Sequence, residues 1–223
     1  MGFTWPAIEL ARIDKNLEKR LKELRERMIE VRMVPVHQLF DKFTRVIRKF
    51  SQETGKEIEL VTSGGDTELD KLIIEDLADP LMHIIRNAID HGIEIPADRD
   101  KAGKPMAGTI NLKAYPQGNH VVIEVEDDGA GMNVEIIRKK LVAKGLIDEV
   151  SSQTLSRQNI LEFIFIPGFS TKDAVSEVSG RGVGMDVVKK NIARMSGTID
   201  IDTEEGKGSK ITLTLPITLA IIQ

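Results

Sequence analysis

Cysteine is absent from the 223 residues of the chain. This absence excludes disulfides, thiolate nucleophiles and cysteine-ligated zinc sites, and it is typical of a protein from a reducing compartment. No apolar run approaches the roughly 18 residues that a membrane-spanning helix needs, and the N-terminus has no signal-peptide pattern. Together these absences predict a cytoplasmic protein that is not inserted in a membrane.

An excess of basic charge is also lacking. The chain has 31 Lys and Arg against 35 Asp and Glu, for a formal net charge of −4. Nucleic acid is therefore not the expected partner. Aromatic residues make up only 4% of the chain, but apolar residues make up 41%, which is enough for the core of one large domain, alone or with an appendage.

The N-terminal part has apolar residues at helical spacing. They recur every three or four positions among Lys, Arg and Glu: Ile13, Leu17, Leu21, Leu24, Met28 and Val31. This heptad-like spacing predicts a long helix that packs against another helix. Folding back onto its own domain is the alternative, but the many flanking charges favour a homodimer formed through this helix. Val34 and Pro35 interrupt the pattern.

The rest of the chain alternates between helical and strand periodicity. Helices are predicted at about 36–54, 69–77, 80–90, 134–144, 160–165 and 183–195. Strands are predicted at about 57–61, 109–115, 120–126, 198–203 and 209–215, with 95–108 as a loop. Because these elements are interspersed without a regular βαβ repeat, we predict an α+β fold in which helices cover one face of an open sheet.

Residues 79–92 carry the strongest functional signal. With Asp79 as its cap and Pro80 in its first turn, a helix is predicted to begin here. On that helix four polar residues share one face: His83, Asn87, Asp90 and His91. The apolar residues between them would seat the helix on a sheet, so that the polar row borders a pocket. Alone, the stretch also fits an ordinary amphipathic helix with surface histidines.

Two glycine clusters follow the polar row. In the first, Asp127 precedes Gly129 and Gly131 at the end of a predicted strand, where a carboxylate beside flexible backbone can accept a hydrogen bond from a ligand amine. The second has three glycines ahead of a helix whose free N–H groups suit an anion: Gly180, Gly182 and Gly184. The chain has no P-loop of the form Gly-x4-Gly-Lys-Ser/Thr. The dinucleotide motif Gly-x-Gly-x-x-Gly is also incomplete, since position 185 is Met185. Separately, the clusters also fit a turn and a hinge loop.

A long segment, about 146–179, joins the two glycine clusters. Such a segment is the natural place for a lid that orders over a bound ligand. Phe163 and Phe165 are predicted to anchor it. Lys172, which follows Phe169, Ser170 and Thr171, is either a phosphate ligand or a solvated lysine.

The order of these signals resembles the four nucleotide-binding boxes of one ATP-binding fold. Asn87, the Asp127 motif, Phe165 with Phe169, and the 180–184 glycines match the boxes shared by gyrase, Hsp90, histidine kinases and MutL, the GHKL or Bergerat fold. The match spans 57 to about 216. It implies an α/β sandwich with a mixed sheet covered by helices on one face, preceded here by a long N-terminal helix.

A narrower resemblance follows from His83, four residues before Asn87, where hydrolytic members and most membrane histidine kinases have glutamate. Together with the motifs at 32–36, 167–171, 179–188 and 215–220, His83 makes the chain similar to the kinase core of the CheA family of chemotaxis histidine kinases. This family transfers the γ-phosphoryl group of ATP to a histidine on a separate phosphotransfer domain.

The resemblance implies roles for individual residues, with ATP and Mg²⁺ bound. Asn87 would coordinate Mg²⁺ through its amide oxygen, and Asp127 would accept the adenine amine, with Met132 against the base. His83 would be, or support, the general base that deprotonates a substrate histidine. The other nucleotide-binding residues implied are Asp90, His91, Gly129, Gly131, Ser170, Thr171, Lys172, Gly180, Gly182, Gly184 and Met185.

The resemblance also implies a domain organisation: a dimerisation-type helical segment at 1–35, a catalytic domain at 36–216, and the start of an absent C-terminal regulatory domain at 217–223. Only one helix of the family's two-helix dimerisation hairpin fits before Pro35. The expected partners are a histidine-containing phosphotransfer domain, a chemoreceptor and a coupling protein. The rivals are a nucleotide-responsive module without chemistry and an ATP-driven clamp; His83, in place of a carboxylate, disfavours the clamp.

Overall fold

The computed structural model of the chain describes residues 5–169 and 184–218. Its helices are α1 (Trp5–Glu30), α2 (His37–Thr54), α3 (Lys71–Asn87), α4 (Pro96–Lys101), α5 (Val134–Ala143), α6 (Glu149–Thr154), α7 (Arg157–Glu162) and α8 (Met185–Arg194). Its strands are β1 (Met33–Pro35), β2 (Ile58–Ser63), β3 (Glu68–Asp70), β4 (Gly108–Gln117), β5 (His120–Asp127), β6 (Thr198–Glu204) and β7 (Gly208–Pro216). A π-helical turn (Ala88–Gly92) extends α3, and a 3₁₀ turn (Phe163–Phe165) extends α7.

The main sheet has five strands in the order β2-β4-β5-β7-β6. β2 is parallel to β4, and the other neighbours are antiparallel, so the sheet is mixed. Its side chains alternate: in β6, Ile199, Ile201 and Thr203 are buried while the residues between them are exposed. One face of the sheet therefore packs against the helical layer, which confirms the predicted α+β fold.

The two predicted hairpins and the helix after Pro35 are confirmed. The hairpins are β4–β5 and β6–β7, each a pair of strands with period-two alternation joined by a short polar turn. α2 ends at Gly55, whose φ of +67° is the left-handed conformation that glycine adopts at a helix end.

The prediction that Asp79 and Pro80 begin a helix is wrong. α3 begins at Lys71, where the carboxylate of Asp70 accepts a hydrogen bond of 2.9 Å from the backbone N–H of Leu72. Pro80 lies buried in the interior of α3, so the two helices expected at 69–77 and 80–90 are one helix. The fixed φ of proline suits any helical residue, and burial of the apolar face outweighs the one lost hydrogen bond.

Two other segments differ from the sequence-based expectation. Residues 34 and 35 are not a simple break but part of β1, which pairs with β3 in a separate two-stranded sheet. The expected loop 95–108 contains α4, which begins at Pro96. Within residues 5–169 and 184–218, no helix is long and apolar enough to cross a membrane.

The β1–β3 sheet ties three parts of the chain together. The guanidinium group of Arg32, after α1, pairs with the buried carboxylate of Asp70, which is also the cap of α3. The backbone N–H of Asp70 donates to the carbonyl of Ile217, which follows β7. The N-terminal helix and the C-terminal strand thus both connect to the start of α3.

α3 lies at the centre of the core. Leu77, Leu81, Ile84 and Ile85 are buried on its apolar face, together with Ile89 in the π-helical turn. The half-buried His83 and Asn87 lie one turn apart outside this apolar stripe. Hydrophobic burial therefore fixes the helix that carries the predicted polar row.

Candidate active site

The polar row of α3 continues into the π-helical turn. The turn closes with a hydrogen bond of 2.7 Å from the N–H of Ile93 to the carbonyl of Ala88. Asp90 lies half-buried in the turn and pairs with Arg86 at 3.4 Å, while His91 is exposed. The ammonium group of Lys56 donates to the carbonyls of Ile89 and Asp90. These hydrogen bonds fix the orientation of the end of the polar row. π-helical turns are rare and are often found at functional sites.

Asn87 connects α3 to α8. Its amide nitrogen donates to the sulfur of Met185, at the start of α8, over 3.2 Å. The amide oxygen, on the other side of the same carbon, is thereby directed away from Met185. Gly184, the last glycine of the second cluster, caps α8, and Met185 is the first residue of that helix. The contact between Asn87 and Met185 therefore places the polar row beside the start of α8.

His83 lies one turn before Asn87 in a half-buried position. Burial lowers the pKa of its imidazole below the ordinary 6.5, and the positive charge of Arg86 lowers it further. Asp186 opposes this shift, and His91 adds to it. The result is an imidazole that is neutral at neutral pH and therefore able to accept a proton.

Asp127 ends β5 as a buried carboxylate. Its Oδ1 accepts a hydrogen bond of 3.0 Å from the backbone N–H of Gly129. Gly92, at the end of the π-helical turn, lies against it: a Cβ atom there would be 2.9 Å from Oδ1. The structure thus brings the end of the polar row into contact with the first glycine cluster, as the pocket prediction requires.

Burial raises the pKa of Asp127 to about 6. The hydrogen bonds from the backbone N–H groups of Gly129 and Ser209 act in the opposite direction, and the negative charges of Asp128 and Glu94 add to the increase. A carboxylate with this pKa is ionised near neutral pH but poorly solvated, so a hydrogen-bond donor on a ligand would stabilise it.

The glycines of the first cluster allow close backbone contacts. A Cβ atom on Gly129 would lie 2.2 Å from the carbonyl carbon and oxygen of Gly92. Gly131 has a φ of +66°, and a Cβ atom there would lie 2.1 Å from the carbonyl oxygen of Glu204. Ala130 is held between them, because its N–H donates to Gly92 and its carbonyl accepts from Gly206. Side chains at the two glycines would push the loop off the sheet.

Thr203 is a site residue that the sequence reasoning missed. Its hydroxyl oxygen accepts a hydrogen bond from the N–H of Met132 at 2.9 Å and donates to the carbonyl of Gly208 at 2.9 Å. Met132 itself packs partly buried on the core. The available signal was that Thr203 is a polar residue on the buried face of β6. A polar side chain at such a position is expected to be hydrogen-bonded.

Not all predicted site residues fall in the described part of the chain. Ser170, Thr171, Lys172, Gly180 and Gly182 lie outside it, whereas Gly184 and Met185 lie inside. Of the two predicted anchors of the lid, Phe163 packs partly buried on the core and Phe165 is buried in it. Phe165 is buried under the ammonium group of Lys189, and Phe169 is partly buried under that of Lys144, each at 5.3 Å.

Asn87 is the predicted metal ligand of the site. Among residues 5–169 and 184–218, no group of three or more His, Asp or Glu side chains forms a metal site. A single amide oxygen suits Mg²⁺ only where substrate phosphates and water supply the remaining ligands. The Asn87 amide oxygen is not used in the hydrogen bond to Met185, which fits such a shared site.

Comparison with known proteins agrees with this geometry. Residues 76–219 match the family model described as histidine kinase-, DNA gyrase B-, and HSP90-like ATPase. The chain is 47% identical over 214 residues to the chemotaxis protein CheA of Bacillus subtilis, covering 96% of this chain and 32% of that protein. It is also 47% identical to the sensor histidine kinase CheAY of Helicobacter pylori, covering 96% of this chain and 27% of that protein.

The solved structures that resemble the chain show the fold alone. The catalytic domain of the histidine kinase ThkA superposes with a TM-score of 0.54 at 16% identity, covering 84% of this chain and 95% of that one. The chain spans about a third of the length of the curated relatives it matches.

Proposed function

Because the chain belongs to the family of histidine kinase-, DNA gyrase B-, and HSP90-like ATPases, as a kinase core of the CheA type, we propose that it transfers the γ-phosphoryl group of ATP to a histidine. The acceptor histidine lies on a separate phosphotransfer domain. The observation that carries this proposal is the contact between the two halves of the site: Gly92, at the end of the polar row, packs against the carboxylate of Asp127.

Asp127 is the proposed recognition group for adenine. Its buried carboxylate is the acceptor that the exocyclic amine of adenine requires, and Gly129 and Gly131 let the loop after it pack on the backbone of Gly92 and Glu204. Thr203 accepts a hydrogen bond from the N–H of Met132, which supports the proposed position of Met132 at the side of the base. Asp90 and His91 line the same pocket in the proposal.

Asn87 and His83 are the proposed catalytic residues. The amide oxygen of Asn87 would hold Mg²⁺ together with the phosphates, and the ion would neutralise charge on them as the γ-phosphoryl group moves. The neutral imidazole of His83 would accept the proton that the substrate histidine loses. The substrate nitrogen then forms its bond to phosphorus while the bond from phosphorus to the β-phosphate oxygen breaks, and ADP leaves.

The phosphate groups lie, in the proposal, at the start of α8. Gly180, Gly182 and Gly184 would present backbone N–H groups to them, with Ser170, Thr171 and Lys172 contributing from the lid and Met185 closing the site beside Asn87. Gly184 caps a helix of ten residues whose first turn contacts Asn87 through Met185.

The wider assignments are proposals of the same kind. We assign 36–216 to the catalytic domain, 1–35 to a dimerisation segment and 217–223 to the start of a regulatory domain, in a cytoplasmic protein that works with a chemoreceptor and a coupling protein. Five apolar side chains of α1 are exposed, which supports a homodimer through this helix: Leu10, Ile13, Leu17, Leu21 and Leu24.

Phosphoryl transfer in trans tests the proposal. The chain is incubated with radiolabelled ATP, Mg²⁺ and a histidine-containing phosphotransfer domain, and label on that domain is measured over time. We expect acid-labile label on the domain, and none when its acceptor histidine is replaced by glutamine. ATP binding without transfer to any such domain would instead support a nucleotide-responsive module, and steady phosphate release without an acceptor would support a clamp-like ATPase.

A further inference from the structure

A cluster of four charged side chains lies behind the first glycine cluster. Its members are Glu94, Arg99, Lys104 and Asp128, and we call it the charged cluster. Arg99 is completely buried, and its guanidinium group binds both oxygens of Asp128, at 3.1 and 2.9 Å, and one oxygen of Glu94 at 3.1 Å. Its Nε donates to the carbonyl of Pro105. This two-pronged geometry fixes the position of Asp128, the residue after Asp127.

Lys104 holds the same turn at a second point. Its ammonium group donates to the carbonyl oxygens of Asp128 and Gly129, at 2.9 and 2.7 Å, and to Glu94 at 2.9 Å. Asp128 also binds the backbone of β4, because its Oδ1 accepts from the N–H of Thr109. The backbone carbonyls of Asp128 and Gly129 therefore both accept a hydrogen bond from a charged donor.

The cluster contains two cations and two carboxylates. Burial raises the pKa of Glu94, but the hydrogen bond from Lys104 and the charges of Lys104 and Arg99 outweigh this effect and leave the pKa lowered. The four charges therefore cancel in a half-buried place where an apolar group would stabilise the fold as well or better. Stability alone does not account for this arrangement, which suggests that it serves the orientation of the turn.

We infer that Arg99 and Lys104 are positioning residues for nucleotide binding, which hold the Asp127–Gly129 turn so that the carboxylate of Asp127 faces the adenine amine. Neither side chain touches the nucleotide, and both act through the turn. This inference rests on the proposed function, in which Asp127 recognises adenine. Because the cluster contacts this turn and not the start of α8, its loss affects affinity for the nucleotide rather than the chemical step.

The cluster also controls the charge that Asp127 experiences. The negative charges that raise its pKa, besides burial, are those of Asp128 and Glu94. Arg99 and Lys104 are the cations paired with these two carboxylates. Removing one cation leaves a carboxylate unbalanced beside Asp127, so a higher pH is then needed to ionise Asp127. A shift in the pH dependence of binding therefore separates positioning from a merely structural role.

The test uses Lys104→Met as its main variant and Lys101→Met as its matched control. Lys101 lies on α4 in the same region, but its side chain is exposed and pairs with Asp98 on the same helix. For Lys104→Met we expect ATP and ADP to bind about tenfold more weakly, the scale of losing one charge-assisted hydrogen bond. We expect the rate of transfer at saturating ATP to change by less than about twofold, and the pH midpoint of binding to rise.

Two more conservative variants, at Arg99 and Lys104, test the inference if Lys104→Met does not fold. Arg99→Lys retains the charge but not the two-pronged contact, so it should weaken ATP binding without moving the pH midpoint. Lys104→Arg retains the charge and the donors at this position, so it should bind ATP with nearly the affinity of the unaltered chain. Thermal unfolding of each variant confirms that it is folded.

The outcomes distinguish this inference from the proposed function. If the unaltered chain does not bind ATP, the proposed function fails. If it binds ATP, and Lys104→Met shows the same affinity and the same pH midpoint as Lys101→Met, the inference is overturned. If Lys104→Met loses thermal stability and transfer rate with no change in the pH midpoint, the inference is likewise overturned, because the cluster would then be structural only.

Discussion

Asn87 on α3 and Met185 on α8 are joined by a hydrogen bond of 3.2 Å between an amide nitrogen and a thioether sulfur. The two residues are 98 positions apart and both belong to the phosphate end of the proposed nucleotide site. A thioether is a weak acceptor, so the contact costs little to break and leaves the amide oxygen for a hard cation. The relationship makes Asn87 the link between the polar row and the second glycine cluster.

Replacing Asn87 tests its proposed role with Mg²⁺. We expect Asn87→Ala to lower phosphoryl transfer by on the order of 100-fold, the scale of losing one group that stabilises the transition state. The loss should be larger at low Mg²⁺, which a titration of the metal measures. Met185→Leu is the control: it removes the sulfur but keeps the shape, and we expect less than about a fivefold change because a neutral hydrogen bond contributes about 1 kcal/mol. An unchanged Mg²⁺ dependence in Asn87→Ala would refute the assignment.

His83 should give the transfer reaction a pH dependence. Burial lowers the pKa of His83 below 6.5, so the imidazole is neutral at neutral pH and the rate falls only when the pH drops through that lowered value. We expect His83→Gln to slow transfer by about 100-fold or more and to remove this acidic limb, with little change in ATP affinity.

The exposed His120, at the start of β5, provides the control for His83. His120→Gln should keep the rate and the acidic limb of the unaltered chain. Measurement of single-turnover rates between about pH 5 and pH 8 at saturating ATP separates the two variants. Should His83→Gln keep the full acidic limb, another group must be the base.

Through Asp127, a drop in pH should weaken ATP binding but increase the stability of the fold. Its pKa is raised to about 6 by burial, so ATP affinity should fall as the pH drops below 6 and the charged acceptor is lost. The folded pKa lies above the ordinary 3.8, so folding is favoured by protonation. This contribution is present at low pH and is lost as the pH rises through about 6.

Asp127→Asn removes the buried charge but keeps an oxygen for the N–H of Gly129. At about pH 7.5 we expect the variant to be more stable than the unaltered chain, by up to on the order of 3 kcal/mol, since each pKa unit corresponds to about 1.4 kcal/mol. We expect it to bind ATP at least tenfold more weakly. Urea unfolding and calorimetric titration measure the two effects. Asp200→Asn, at an exposed position of β6, should change neither.

The elements that the sequence predicts well are those with local causes. The β4–β5 and β6–β7 hairpins follow from alternation and a short turn, and α2 ends where Gly55 supplies a left-handed conformation. Pro80 misleads because a preference for the first helical turn is only statistical. Asp70 supplies a stronger local cap, and the helix it begins is long enough to accommodate the proline.

The site is predictable as a set of motifs but not as a set of contacts. The order of Asn87, Asp127 and the glycines indicates a nucleotide site, but nothing local indicates that Gly92 touches Asp127. The pairing of Arg99 with Asp128 joins residues 29 positions apart, and Arg99 lies outside the motifs that indicate the site. Such pairs depend on the sheet order and on burial, which no pattern within one segment contains.

Gly129 offers a steric test of the first glycine cluster. A Cβ atom at this position would lie 2.2 Å from the backbone of Gly92 and 2.8 Å from Oδ1 of Asp127, so backbone and not a flexible side chain would have to move. We expect Gly129→Ala to displace the turn, to lower the free energy of unfolding by about 1–3 kcal/mol and to weaken ATP binding beyond detection at micromolar nucleotide. Calorimetric titration and thermal unfolding measure these changes.

Gly145, after α5, separates the steric effect from the loss of a glycine. Its φ is +67°, and, apart from its own chain neighbours, no residue of 5–169 or 184–218 has an atom within 4 Å of the position that a Cβ would take. Gly145→Ala therefore introduces strain without a clash, and we expect a loss of about 1 kcal/mol in stability with unchanged ATP affinity. If Gly129→Ala binds ATP as tightly as Gly145→Ala, the close packing of Gly92 on the Asp127 turn is not required for nucleotide recognition. The contact that carries the proposed function would then have only a structural role.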